Sequence, residues 1–596
     1  MQSEPVIRAA DLLHGALDLV DVGGGWVRPS RFSAPQLRAL GSVRAWHPGL
    51  YRQMAACTAG VTVEFETDAS IVTLELRSGE VPHGTAGALD DVARHTGVEP
   101  PRPDAIFADV DGRHLGPLFP DEKNLLTLDL VDPDALVVPL PGLGEPRRVR
   151  VWLPCLAPCS LRSVTHDGSR LDAVPARRCL LVLGDSVAQG FCADDPSRTW
   201  PGLLAGHLGL DLVNQGVGGQ VFQPGTLAGT EALDVAAIVV ELGENYRFEP
   251  CRADVVERDV RTYLGEVAAA WPDVPVWVLT TPPHLEVAYP THPRSCYDEV
   301  DRIIAEAAAR HAQMRLVDAG ALLDRHLLPR LLSDGSDHPG PEGQLMIADR
   351  LSFVMDATWD EPAGRRLRAL EVVRGLGDAA LPLADALARG VGEVLLADEH
   401  AVIVDVPYGA RLLWSSDRKL VRRALFCLGA AAVTCVCGEG TVAREVARAN
   451  RGKARPCELV VWRAAAPAVD PARDLRTLTP AYAGAIAEHY SHPEYLRPGE
   501  LEELLAAGRV IGGFEDGRLV GFVGEHPHGA MGMLEVLPEA RRRGWGSTLA
   551  AAKVRQLLDE GRLPWAEVWP DNDASLALEL SMGFEFPETG QLWYVS

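Results

Sequence analysis

Ser186 closes the run Leu181-Val182-Leu183-Gly184-Asp185-Ser186, an apolar strand that ends in Gly-Asp-Ser and would deliver a hydroxyl to the carboxyl edge of a sheet. Alone the tripeptide means little, because turns use all three residues freely. Three further segments change that. Asn214-Gln215-Gly216-Val217-Gly218-Gly219 ends a second apolar run, Gly243-Glu244-Asn245 ends a third, and Asp334-Gly335-Ser336-Asp337-His338-Pro339 stands before a last helix. Acyl transfer needs a nucleophile, a base to take its proton, a group that orients the base, and donors aimed at the developing oxyanion. All four kinds occur here, each at an expected strand end or loop.

A second group lies near the C-terminus. A short strand, Leu534-Glu535-Val536-Leu537, leads through Pro538-Glu539-Ala540 into Arg541-Arg542-Arg543-Gly544-Trp545-Gly546-Ser547 and then into a helix. Glycines let backbone N–H groups approach a pyrophosphate, the helix start favours negative charge, and three arginines add a local positive field. A second strand, Ala566-Glu567-Val568-Trp569, precedes Asp571-Asn572-Asp573-Ala574-Ser575-Leu576-Ala577-Leu578, which opens a helix ending at Met582-Gly583-Phe584. Glu535 is the candidate base for deprotonating an amine, directly or through water, with His526 second.

The elements that must hold these residues change texture along the chain. Its 596 residues imply three to five domains. Up to residue 172, Val61 to Glu66 and Val72 to Arg77 alternate apolar and polar residues, Asp111-Gly112 marks a hairpin, and further strands are expected at Leu125 to Val131 and Val149 to Leu153. Short strands with turn residues between them predict a β-sandwich or jelly roll. Over 173–358, apolar runs at Cys179 to Leu183, Leu210 to Asn214, Ala236 to Leu242, Val274 to Thr280 and Met314 to Val317 alternate with helical stretches. That pattern predicts a parallel α/β sheet with ligands outside its carboxyl edge. Residues 363–465 are αβ in pattern but chemically quiet, with one helix-like stretch from Leu367 to Ala388, and 466–596 form the last domain.

With 57 Lys+Arg against 82 Asp+Glu, the net charge of −25 argues against nucleic acid or an anionic membrane as partner. Any phosphate site must be local. The first 25 residues lack a basic stretch followed by an apolar one, and the longest apolar stretch, Ala424 to Gly438, falls short of the roughly 20 residues a membrane span needs, so a cytoplasmic location is expected. Eleven scattered cysteines suggest neither a disulfide framework nor a zinc site; Cys435 and Cys437 read as buried free thiols, and no metal is expected.

From about Cys179 to Met355 the order and spacing of the motifs resemble the SGNH (GDSL-like) hydrolase family, and the region around Arg28-Pro29 and Gly60 to Asp68 is similar to the β accessory domain that precedes some members. The resemblance implies a flavodoxin-like α/β fold, Ser186 as nucleophile, His338 as general base, and an oxyanion hole from the N–H groups of Ser186 and Gly219 with the Asn245 side chain. The family usually carries Asp three residues before the His, where this chain has Gly335; a loop one residue longer would bring Asp334 to the orienting role, with Asp337 as the alternative.

From about Asp474 to Ser596 the two C-terminal segments resemble the GNAT acyltransferases, closest in wording to the glycine N-acyltransferase-like branch, with 363–465 as a degenerate first lobe of an α+β fold. This implies acetyl-CoA or another acyl-CoA as co-substrate, held by Val536, Leu537 and the turn Arg541 to Ser547, with Asn572 and Ser575 near the pantetheine arm. Many members place a Tyr acid where this chain has Glu579. The expectation is a multidomain, bifunctional enzyme: a serine esterase or acylhydrolase acting on small-molecule esters and an acyl-CoA N-acyltransferase acting on amines. The alternatives are O-acyl transfer from Ser186 to a sugar or natural-product hydroxyl, and an acyl-CoA-binding module without catalysis in the second half.

Overall fold

Alternating side chains build two sheets at the start of the chain. In the strand Ile71–Ser78 the residues Val72, Leu74 and Leu76 are buried while their neighbours are not, and in the facing sheet Val63, Phe65 and Val151 are buried against them. The computed structural model describes residues 7–41, 51–99, 104–131, 145–247, 252–286, 296–360, 362–429, 431–492, 496–587 and 591–596. The chain divides into two units, Met1–Asp356 and Ala357–Ser596.

In the first unit two six-stranded sheets share one apolar core. One runs Asp18–Asp21, Val27–Ser30, Cys159–His166, Ile71–Ser78, Leu125–Asp129, with Ile7–Arg8 also on Cys159–His166; the other runs Leu171–Ala173, Thr62–Thr67, Arg147–Trp152, Ile106–Val110, Arg113–Leu118, with Leu13–His14 also on Thr62–Thr67. The pairings are antiparallel, and the hairpin turns at Asp111 and Gly112. A helix at His83–Thr96, not expected from its glycine-bearing sequence, interrupts the strands.

The rest of the unit is a parallel five-stranded sheet in the order Asp211–Gly216, Cys179–Gly184, Val235–Glu241, Val276–Leu279, Met314–Val317. Numbered along the chain this is 2-1-3-4-5, the flavodoxin-like order, whose ligand crevice opens where strand 1 meets strand 3. Cys179–Gly184 is that first strand, and every residue of it is buried. Ser186 follows two residues after its end.

The second unit has one continuous sheet of twelve strands, from Glu393–Asp398 at one edge to Asp474–Thr477 at the other. The last strand, Leu592–Val595, lies between Val433–Cys437 and Ala454–Trp462, so one sheet runs across the expected boundary at 465/466. The helix expected over Leu367 to Ala388 is two, Pro362–Arg374 and Leu381–Ala388, parted at Gly375 and Gly377, where helical propensity is lowest. Among the described residues no helix is long and apolar enough to cross a membrane. Cys435 and Cys437 are buried free thiols on one strand; Cys296, against expectation, is disulfide-bonded, a pairing that the scattered spacing of the cysteines gives no sign of.

Candidate functional sites

Asp185 caps the one-turn helix Ser186–Gln189 by accepting the N–H of Val187, and this fixes Ser186 at the first helical position. Ser186 Oγ lies 2.8 Å from His338 Nε2, and His338 Nδ1 lies 2.6 Å from Asp334 Oδ2. The other oxygen of Asp334 accepts the N–H groups of Ser336, Asp337 and His338 at 2.9, 3.1 and 3.1 Å. One carboxylate therefore shapes the turn and orients the ring within it. The ring also stacks on Phe191, with centroids 5.2 Å apart. Asp337 Oδ1 stands 3.2 Å from the same Nδ1, while its Oδ2 faces Arg247 at 3.5 Å.

Gly219 has φ +77°, a conformation open to glycine at little cost. On one side Gln189 Oε1 accepts the Gly218 N–H at 2.8 Å; on the other, the Tyr51 hydroxyl donates to the Gly219 carbonyl at 2.9 Å. The N–H groups of Gln220 and Val217 are taken by the carbonyls of Val217 and Gly184. Among the described residues the Gly219 N–H donates to nothing, and the bracketing contacts fix its direction. Asn245 spends its side-chain N–H groups on Asp185 Oδ2 and the Gln220 carbonyl, each at 2.9 Å. Arg31, fully buried, donates to the carbonyls of Met54, Cys57, Asn214 and Gly216, so the sandwich holds the end of the second parallel strand. Burial lowers its pKa to about 10.

A chain of buried charge backs the histidine. Arg247 Nη1 donates to Glu244 Oε1 at 2.7 Å, and Glu244 in turn accepts from the Tyr297 hydroxyl at 2.5 Å and faces His284 Nδ1 at 3.2 Å. Asp185, buried and facing Glu244, is pushed up to about 7.

In the second unit the strand Met531–Val536 pairs with Trp565–Val568 only at Met531 and Ala566, after which the two part. A bulge causes this: between the pairs Phe522–Glu535 and Gly524–Gly532, Met533 and Leu534 oppose the single residue Val523, and Met533 takes φ +55°. The fork opens toward the turn at Arg541 to Gly544, where Gly544, at φ +80°, caps the helix Trp545–Asp559. Arg541 Nε donates to the Val536 carbonyl at 3.0 Å, Arg543 pairs with Glu515 at 2.7 Å, and the buried Trp545 donates to the same Glu515 at 2.7 Å. A Cβ at Gly546 would meet nothing nearer than Leu578, at 3.6 Å, so the outer face of the turn is open.

Residues 182–345 match the family model described as GDSL-like Lipase/Acylhydrolase, and residues 510–593 match that described as FR47-like protein, a GNAT-like acetyltransferase group. The chain carries a GDSL-like domain and an FR47-like domain. Among curated proteins none matches it. Among solved structures it is similar to a salicylyl-acyltransferase, SsfX3, from a tetracycline biosynthetic pathway, at 19% identity and TM-score 0.46, over 59% of this chain and 96% of that one. It is also similar to a family two carbohydrate esterase from Clostridium thermocellum, at 13% identity and TM-score 0.38, over 59% and 98% of the two chains. An acetyl xylan esterase from Butyrivibrio proteoclasticus aligns at 16% identity and TM-score 0.33, over 50% and 89%.

In the GDSL-like domain the structure brings Ser186, His338 and Asp334 into one hydrogen-bonded line, with Gly219 in a turn and Asn245 in the short helical turn Glu244–Arg247, bonded to Asp185 and Gln220. Tyr51, Arg31 and Arg247 support that line and carry no sequence signal of their own. In the FR47-like domain, Val536 ends the parted strand and Leu537 follows it, and Arg541, Arg542, Arg543, Gly544, Trp545, Gly546 and Ser547 form the turn and helix start. Asn572 caps its helix by accepting the Ser575 N–H at 3.1 Å. Glu535 Oε1 accepts from the N–H of Ser491 at 3.0 Å and from its hydroxyl. Glu579, in place of the expected Tyr, is buried, and burial pushes it up to about 7.

Proposed function

We propose that the chain is a two-site enzyme, a serine-dependent esterase in the GDSL-like domain and an acyl-CoA-dependent N-acyltransferase in the FR47-like domain. The observation that carries the first is the line Ser186 Oγ to His338 Nε2 to Asp334, at 2.8 and 2.6 Å. Ser186 gives its proton to His338 as its oxygen bonds to the ester carbonyl carbon. The carbonyl oxygen takes the negative charge, met by the N–H groups of Ser186 and Gly219. The C–O bond to the alcohol breaks, the alcohol leaves with the proton from His338, and an acyl-serine remains. Water, deprotonated by His338, releases the acid and restores Ser186. Asp334 keeps Nδ1 protonated, so that Nε2 is the accepting nitrogen throughout.

The second site rests on the bulge and fork ending in a glycine-capped helix start. The open amides of the Gly544 to Ser547 turn and Arg541 to Arg543 suit a pyrophosphate, and the unpaired edge of Leu534 to Val536 suits the amide groups of a pantetheine arm. A bound acyl-CoA would supply a thioester open to attack by an amine. Both halves are tested on the full chain by mass spectrometry and calorimetry. A fluorophosphonate should add to the peptide containing Ser186, and acetyl-CoA should give a binding heat. No adduct at Ser186 overturns the first half, and no heat with acetyl-CoA or CoA at millimolar concentration overturns the second.

A further inference from the structure

Beside the fork lies a cavity of about 230 Å³ whose lining includes His526, the second candidate base. Ala566 and Val568 pack with Val554 and Leu557 of the helix Trp545–Asp559, so the alternate residues Trp565, Glu567 and Trp569 point to the other face of the sheet. Glu567 and Trp569 line the cavity there, with His526, His528, Tyr594 and Arg455.

Glu567 is the telling residue. Its side chain is only 7% exposed. One oxygen, Oε2, accepts from His528 Nε2 at 3.2 Å and from the Tyr594 hydroxyl. The other, Oε1, is buried without a partner. An unmet buried acceptor costs about 1–3 kcal/mol, more when charged, so a carboxylate satisfied on one oxygen only, on a side chain that lines a cavity, is suited to a donor that enters it. Burial opposes the charge, but His528 and Tyr594 outweigh it and hold Glu567 below the ordinary carboxylate range. His526, stacked on His528 at 5.7 Å, is driven down to about 4 by burial and stays neutral, so the charges lining the cavity are Arg455 and Arg497 against Glu500 and Glu567. Arg455 already lies over the Trp569 ring, 4.5 Å from its centroid, so the aromatic surface left for an apolar body is that of Tyr594, 5.6 Å from Trp569 and tilted by 58°.

Location gives the cavity a use. Glu567 directly follows Ala566, the residue where the two strands are last paired, so it stands at the closed end of the fork whose open end leads to the Gly544 turn. We propose that this cavity binds the acyl acceptor, and that the acceptor is a primary amine with an apolar body about the size of one ring, its ammonium held by Glu567 Oε1. This rests on the acyl-CoA reading of the fork.

The test uses the full chain and phenethylamine as probe, with 2-phenylethanol as its uncharged counterpart and CoA titrated separately, all by calorimetry. Phenethylamine should bind about tenfold or more tighter than 2-phenylethanol. Glu567→Gln, which keeps an acceptor for His528 and Tyr594 but removes the charge, should weaken phenethylamine by about 10- to 100-fold, the value of a charge-assisted hydrogen bond. CoA binding should be unchanged in the variant, which also shows that this unit is folded. Equal binding of amine and alcohol, no binding of the amine, or undiminished binding by Glu567→Gln overturns the inference. Glu567-dependent amine binding without any CoA binding would keep the amine site and overturn the acyl-CoA reading instead.

Discussion

Asp334 reaches His338 Nδ1 at 2.6 Å from four residues upstream, because Gly335 takes φ +69° and the turn carries one more residue than a three-residue spacing allows. Asp337, adjacent in sequence, comes only to 3.2 Å and shares its charge with Arg247. Asp334→Asn should therefore lower kcat for a p-nitrophenyl ester by up to about 10⁴, by favouring the wrong tautomer, and Asp337→Asn should cost little. The reverse ranking would move the orienting role to Asp337.

The charges around the histidine also set a pH profile. Burial disfavours the imidazolium, yet Asp337 and Asp334 outweigh it and lift His338 from 6.5 to about 9. Only neutral imidazole accepts the proton of Ser186, so kcat/KM should rise with pH along a limb lying above 6.5. The neighbouring acids titrate with the histidine, and the limb belongs to the cluster rather than to one residue. Asp337→Asn removes a charge that favours the imidazolium and should shift the limb to lower pH. A parent limb at or below 6.5, or a shift to higher pH in the variant, contradicts this account.

Ser186→Ala should abolish ester turnover. Asn245→Ala should lower kcat by about 10² to 10³ if Asn245 turns one of its N–H groups from Asp185 to the oxyanion during reaction. Tyr51→Phe removes the hydrogen bond to the Gly219 carbonyl and should cost about 2- to 10-fold in kcat with KM little changed, since it loosens a donor used only in the transition state. A Tyr51→Phe effect confined to KM would show that the contact serves ester binding.

How far the sequence could be read follows from the range of the forces involved. The parallel strands were legible because strands buried on both faces are continuous apolar runs, as Cys179 to Leu183 and Val276 to Leu279 are, and their loops carried Ser186 and His338 in plain view. Asp334 was legible because it shapes the same turn as its histidine. Tyr51 and Arg31 were not, since their roles exist only once the sandwich lies against the second parallel strand. The helix at His83–Thr96 hid behind Gly84 and Gly87, which lower its propensity. Glu567 read as a charged residue on a strand. That its oxygen is buried, and half-satisfied, depends on His528 and Tyr594 from distant parts of the chain.

The turn of the FR47-like domain gives a last prediction, because its two glycines do different work. Gly544 sits at φ +80°, where a β-branched residue is strained whatever the space around it, so Gly544→Val should distort the helix start and lose CoA binding. Gly546 lies inside the first helical turn with its nearest neighbour, Leu578, 3.6 Å from where a Cβ would stand, so Gly546→Ala fits the fold. If the Gly546 backbone is approached closely by a pyrophosphate, the added methyl should still weaken CoA by about tenfold while the melting temperature is held or slightly raised, alanine being the better helix former. Esterase activity at Ser186 should be untouched by either change. Calorimetry with CoA on both variants decides: undiminished binding in Gly546→Ala would place the phosphates away from this helix start, and undiminished binding in Gly544→Val would remove the turn from the site altogether.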